Sequence, residues 1–133
     1  MSSFETEILE IGRRAREAAS GLRLASPDAR TAALNAMAQR LRDRAADIVA
    51  VNEQDVALAR SRGLMEAQID RLRLDAARTR AVADGVEIIA QQPDPIGATI
   101  AEWTRPNGLR IQRVRTPIGV IGMIYESRPN VTA

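Results

Sequence analysis

The residues of this chain that could do chemistry gather near its carboxyl end. After the apolar run IGVIGMIY, Ile118 to Tyr125, the sequence reads Glu126, Ser127, Arg128, Pro129, Asn130, Val131 and Thr132. A guanidinium at Arg128 can clamp a carboxylate or phosphate through two parallel hydrogen bonds. The Asn130 amide can donate to an oxygen that gains negative charge during reaction. Both residues also have quieter readings, Arg128 as an ion-pair partner of Glu126 and Asn130 as a helix cap. Cys and His are absent altogether. Thiolate nucleophiles, imidazole bases, disulfides and the commonest zinc ligands are therefore excluded, and no metal site is expected.

The run that delivers this loop shows no polar alternation, the pattern of a strand buried on both faces inside a helix-covered parallel sheet. Such sheets bind ligands at the carboxyl edges of their strands, which is where the loop would lie. Each parallel neighbour needs a crossover of about ten or more residues, yet eight residues follow Tyr125. The expectation is an unfinished α/β domain whose remaining strands are not encoded in these residues.

Upstream, the grammar changes near Gln92. Twenty of the 23 Ala precede it, whereas five of the six Pro and nine of the twenty Val and Ile follow it. Ser2 and Glu5 have capping-box spacing, and Phe4, Ile8, Ile11, Ala15, Ala18 and Leu22 form one helical stripe, so a helix is predicted from about Ser3 to Ser20, ended by Gly21. Ser26 and Pro27 start a second. Its stripe runs through Leu34, Met37, Leu41, Ala45 and Ile48, with a bend or break expected around Ala45 to Asn52 and a stop at Gly63. A short helix from Met65 to Leu72 follows. Asp75 then caps a last one reaching about Gln91, with Val82, Val86 and Ile89 facing inward. Ile96 to Trp103 and Leu109 to Arg115 flank Arg105, Pro106, Asn107 and Gly108 as a β-hairpin. Its interrupted apolar pattern leaves one face wet or against a partner chain.

All nineteen basic residues are Arg, against seventeen acids. Residues 1–92 balance at 14 Arg and 14 acids, and residues 93–133 hold five and three. Alternating charges such as Glu10 with Arg14, or Asp43 and Asp47 beside Arg40 and Arg44, read as solvated helix faces. With three aromatic residues and no basic face, nucleic acid is not an expected partner. No stretch nears the roughly 18 apolar residues of a membrane span, and Met1 to Glu10 carries no cationic region ahead of an apolar run. A cytoplasmic protein away from the membrane is expected.

The string TPIGVIGMIYESRPNVT, Thr116 to Thr132, resembles the signature of the gamma-glutamyl phosphate reductases of the aldehyde dehydrogenase superfamily. NEQDVALARSRGLMEAQIDRLRL, Asn52 to Leu74, and GLRIQRVRTPIGV, Gly108 to Val120, resemble the same family. The resemblance covers essentially the whole chain but only the amino-terminal portion of such an enzyme. It implies an aldehyde dehydrogenase-like α/β fold. Residues 1–133 would form the first part of the NADP-binding domain: 1–92 helical, 96–115 the hairpin of an oligomerisation arm, and 118–133 the first parallel strand and active-site loop of an incomplete Rossmann-like domain. The catalytic domain would be absent.

By the same resemblance, NADPH reduces L-glutamyl 5-phosphate to glutamate 5-semialdehyde in proline biosynthesis, by way of a thioester on a family Cys that has no counterpart here. The chain would be inactive alone. Asn130 would be the oxyanion donor, Ile124, Tyr125 and Glu126 would flank the cofactor, and Arg128 would meet the substrate's anionic groups. The hairpin would pair subunits in a homo-oligomer. Met1 directly ahead of the first helix favours a stand-alone reductase over a bifunctional synthetase. The competing expectation is a helical protein-interaction module that associates with a complete subunit.

Overall fold

The computed structural model describes residues 3–126 and 128–133. Ser2 and Ser127 thus lie outside the described residues, and with them one half of the expected capping box and one residue of the site loop. Five helices, a two-stranded sheet and a terminal 3-10 turn follow in chain order: α1 Ser3–Leu24, α2 Pro27–Asp43, α3 Ala45–Ser61, α4 Glu66–Leu72, α5 Ala76–Ala90, β1 Thr99–Thr104, β2 Arg110–Val114 and the turn Pro129–Thr132. They fall into two compact units, Met1–Arg30 with Pro93–Gly122, and Thr31–Gln92 with Met123–Ala133.

In the first unit, α1 runs straight through Gly21 instead of ending there. Glycine stops a helix by taking a left-handed backbone. Gly21 is not among the glycines with positive φ, so it merely weakens the helix. The real stop is Pro27, which cannot extend α1. Ser26 caps the new start, its Oγ accepting from the Ala29 amide at 3.1 Å. The apolar stripe of α1 is exposed, with Phe4, Ile8, Ile11 and Leu22 all open to solvent.

The same unit is tied together by Arg30. Its guanidinium donates to Asp94 Oδ2 at 2.7 Å and to the carbonyls of Leu22 and Ala25, joining the end of α1 to the segment that leads into the hairpin. The Ile96 amide donates to Asp94 Oδ1 at 2.8 Å. Both contacts hold the Asp94 carboxyl below its ordinary value, the amide more than the guanidinium.

The hairpin is antiparallel, with Glu102 opposite Gln112, Trp103 opposite Ile111 and an irregularity between Thr99 and Ala101. Its turn closes through the Arg105 amide to the Leu109 carbonyl at 2.9 Å, with Gly108 at φ 84° as the Asn-Gly pair demands. One face is a polar ladder in which Glu102 accepts from Arg110 at 2.6 and 3.0 Å and from Gln112 at 2.5 Å. Arg110 first and Gln112 second push the Glu102 carboxyl down. Trp103 and Ile111 mark the other face.

In the second unit, the break falls at Arg44, one residue ahead of the expected window. The bonds from Arg44 N to Arg40 O and from Ile48 N to Arg44 O are both 3.0 Å, so the junction is a kink and not a loop. Gly63 ends the second helix with φ 74°, as expected. Gln68 Oε1 accepts from the Met65 amide at 3.1 Å at the start of α4. Asp75 caps α5, Oδ1 accepting from the Arg78 amide at 2.7 Å. Val56, Ala59 and Ile69 form the core where α3 meets α4, with Leu64 and Leu72 packed on it.

The inward stripe of α5 differs by one position from expectation. Thr79, Ala83, Val86 and Ala90 are buried, whereas Val82 is half-buried and Ile89 is 54% exposed. The alanines let α5 approach α3 closely, and the branched side chains are turned to a groove. Similarly, Ala38 is the buried residue of α2, while Met37 of the expected stripe is exposed.

Candidate active-site groove

The run Ile118 to Tyr125 carries no helix and no ladder hydrogen bonds. Among the described residues the sheet contains β1 and β2 alone, and no strand pairs with the run. Its side chains are accordingly open: Ile118 is 88% exposed and Ile124 fully so. A segment patterned for burial on both faces thus stands in solvent.

Beyond it the chain turns back. Pro129 fixes the backbone for the 3-10 turn, and the Val131 amide donates to the Arg128 carbonyl at 3.0 Å. The Tyr125 hydroxyl lies 2.5 Å from Thr132 Oγ1, which ties the end of the apolar run to the end of the turn. Among the expected site residues, Tyr125 is therefore anchored by the loop itself. Glu126, Arg128 and Asn130 are exposed. No hydrogen bond or ion pair joins Arg128 to Glu126, and none engages the Asn130 amide, among the described residues. Both quieter readings, the internal ion pair and the cap, are thereby unsupported, and both side chains are available to a ligand.

Asn130 and Pro129 line a groove of about 590 Å³ whose far side is the elbow between α4 and α5. Arg71 and Arg73 line it from the elbow, and Val82, Val86 and Ile89 supply an apolar wall. The elbow is fixed from two directions. Asn52 of α3, 5% exposed, donates from Nδ2 to the Leu72 carbonyl at 2.9 Å and accepts the Leu74 amide on Oδ1 at 2.6 Å. Arg78 pairs with Asp70 Oδ1 at 2.8 Å, and its Nη1 also donates to the carbonyls of Asp70 and Arg73.

Sequence reasoning missed Arg71, Arg73 and Arg78 by treating arginines as solvated. No local signal set them apart, since Arg71 and Leu72 are still helical and the chain extends only beyond them. Arg73 indeed has extended backbone, φ −66° and ψ 128°. On the outer faces, Glu10 pairs with Arg13, not with Arg14, at 2.8 Å, and Arg44 pairs with Asp47 at 2.8 Å.

Helices, then a hairpin, then an apolar run that ends in a polar turn beside a groove: this is the opening segment of an aldehyde dehydrogenase-like fold, and solved structures share it closely. Gamma-glutamyl phosphate reductase of Thermotoga maritima superposes with TM-score 0.91 at 44% identity, over 95% of this chain and 30% of that one. The gamma-glutamyl phosphate reductase of Saccharomyces cerevisiae gives 0.87 at 29% identity, over 99% and 33%.

In sequence, the chain is 58% identical to gamma-glutamyl phosphate reductase of Caulobacter vibrioides over 123 residues, 92% of its own length. It spans 30% of the length of that relative. In both sequence and backbone, the chain matches the amino-terminal part of gamma-glutamyl phosphate reductase. No family model matches it. Among the described residues no helix is long and apolar enough to cross a membrane, and no group of acidic residues could hold a metal ion.

Proposed function

We propose that the chain is the amino-terminal part of an NADP-dependent gamma-glutamyl phosphate reductase that works in the cytoplasm in proline biosynthesis. The sequence match to the Caulobacter reductase carries this reading. In the reaction, glutamyl 5-phosphate, NADPH and a proton give glutamate 5-semialdehyde, NADP+ and phosphate.

With no Cys in these residues, the chain supplies no thiol, and its share of the work is to bind and orient. The Asn130 amide, without a hydrogen-bond partner among the described residues, donates to the carbonyl oxygen as it gains charge. Arg128, equally unpaired, meets the substrate's anionic group. Ile124, Tyr125 and Glu126, at the carboxyl end of the apolar run, would flank the cofactor. When bound, NADPH supplies the hydride. The hairpin, polar on one face and carrying Trp103 and Ile111 on the other, pairs subunits in a homo-oligomer.

A chimaera tests this reading. Residues 1–133 replace the matching segment of the Caulobacter reductase, and NADPH oxidation with glutamyl phosphate is followed. Turnover within tenfold of the parent supports the proposal; a folded chimaera without turnover refutes it.

A further inference from the structure

The groove brings two arginines that have no hydrogen-bond or ion-pair partner among the described residues onto a backbone that is pinned. Arg73 is flanked by Leu72 and Leu74, whose carbonyl and amide are both held by buried Asn52, and its own carbonyl accepts from Arg78 at 3.1 Å. Three fixings within three residues leave the backbone little freedom. The Arg73 and Arg71 side chains nevertheless make no hydrogen bond or ion pair among the described residues.

Arg78 explains the contrast. Its charge is spent on Asp70 at 2.8 Å, so the one acidic side chain among the described residues that line the groove is already paired and does not answer the other two arginines. A surface ion pair is worth little and is easily made by long side chains. Two cations on a held backbone that line one cavity with an apolar wall and the Asn130 amide therefore have the makings of a receptor.

We propose that the groove is an oxyanion subsite in which Arg71 and Arg73 grip a carboxylate or phosphate of a small aliphatic ligand, whose carbon chain lies on Val82, Val86 and Ile89 and points toward Asn130. The subsite rests on the functional reading above only for the identity of the ligand: it would be the anionic end of the acyl phosphate substrate. Arg73, pre-positioned by its fixed backbone, sets the site, because planar guanidinium groups bind oxyanions in a fixed two-point geometry.

The test uses the full 133-residue chain, isotopically labelled, titrated with inorganic phosphate and separately with glutarate at constant ionic strength. The expected result is a saturable shift confined to the Arg71 and Arg73 side-chain signals and the Asn130 amide. The ligand giving the tighter curve identifies which oxyanion is gripped. R71Q/R73Q should abolish saturation, whereas R16Q on α1 should leave it unchanged. Linear shifts spread over all arginines, or curves unaffected by R71Q/R73Q, overturn the subsite.

In the chimaera, the double substitution should raise KM for glutamyl phosphate at least tenfold with kcat within twofold; an unchanged KM also overturns it. A folded but inactive chimaera whose parent chain still shows the confined shift removes the reductase reading and leaves the subsite standing.

Discussion

Asn52 offers the sharpest test of how the groove is built. Its amide uses a donor and an acceptor on two backbone groups of one extended segment, at 2.9 and 2.6 Å, while 5% exposed. Asn52→Leu keeps the volume and removes both bonds, leaving the Leu72 carbonyl and the Leu74 amide without partners. Each stranded buried group costs roughly 1–3 kcal/mol. After about 1 kcal/mol is returned by the added apolar burial, the net loss is about 1–5 kcal/mol. At a urea slope near ~1 kcal/mol/M for a domain this small, the midpoint should fall by about 1 M or more.

Far-ultraviolet circular dichroism reports the helices of the second unit, and hydrogen exchange reads the segment itself: the Leu74 amide should exchange about 5-fold faster or more, since each 1.4 kcal/mol is tenfold. Asn52→Asp keeps an acceptor for Leu74 but sets a carboxylate against the Leu72 carbonyl, so it should not rescue. A stability change within about 0.5 kcal/mol for Asn52→Leu, the ordinary range of an unremarkable surface change, would refute the view that this amide holds the elbow.

Other expectations follow from the same structure. Ile69→Ala empties the centre of the α3–α4 core, where Ile69 is 1% exposed, and should cost about 2–5 kcal/mol by denaturant unfolding. Asp75→Ala removes the cap of α5 and should cost about 1 kcal/mol, with Asp75→Asn nearly silent. The Asp94 carboxyl is depressed by the Ile96 amide and by Arg30, so its contribution is complete above the ordinary Asp value near ~3.9 and fades as pH falls through the lower folded value. Acid titration followed by Trp103 emission should show a transition in that range that Asp94→Asn abolishes.

Much of the fold was legible because it rests on local chemistry. Pro27, Gly63, Asp75 and the Asn107-Gly108 pair each act within a few residues, and each stands where its type demands. Gly21 misled for the converse reason: glycine permits a stop without requiring one, and the following Pro enforced it. The α5 stripe was shifted because Ala83 and Ala90 bury through closeness of approach to another helix, which a count of large apolar residues cannot register. The site divided the same way. Asn130 and Arg128 stood out as polar residues after an apolar run, but Arg71 and Arg73 could be told from the other unpaired arginines only by the groove they line, a property of three-dimensional neighbours.

The two sides of the groove are held by different means, and this bears on what the chain can do by itself. The elbow side is complete: Asn52, Arg78 and the Asp75 cap fix it from within the chain, so an oxyanion receptor needs nothing further to be in place. The side carrying Asn130 hangs from the Tyr125–Thr132 contact at the end of an apolar run that stands open to water. A donor stabilises developing charge only when it is aimed in advance, and a turn anchored to an unpaired segment is not so aimed. Covering Ile118 to Tyr125 with neighbouring strands would at once bury that apolar surface, satisfy its backbone and fix the direction of Asn130. Binding is thus a property the proposed subsite can hold by itself, whereas the donor role proposed for Asn130 requires that run to be covered.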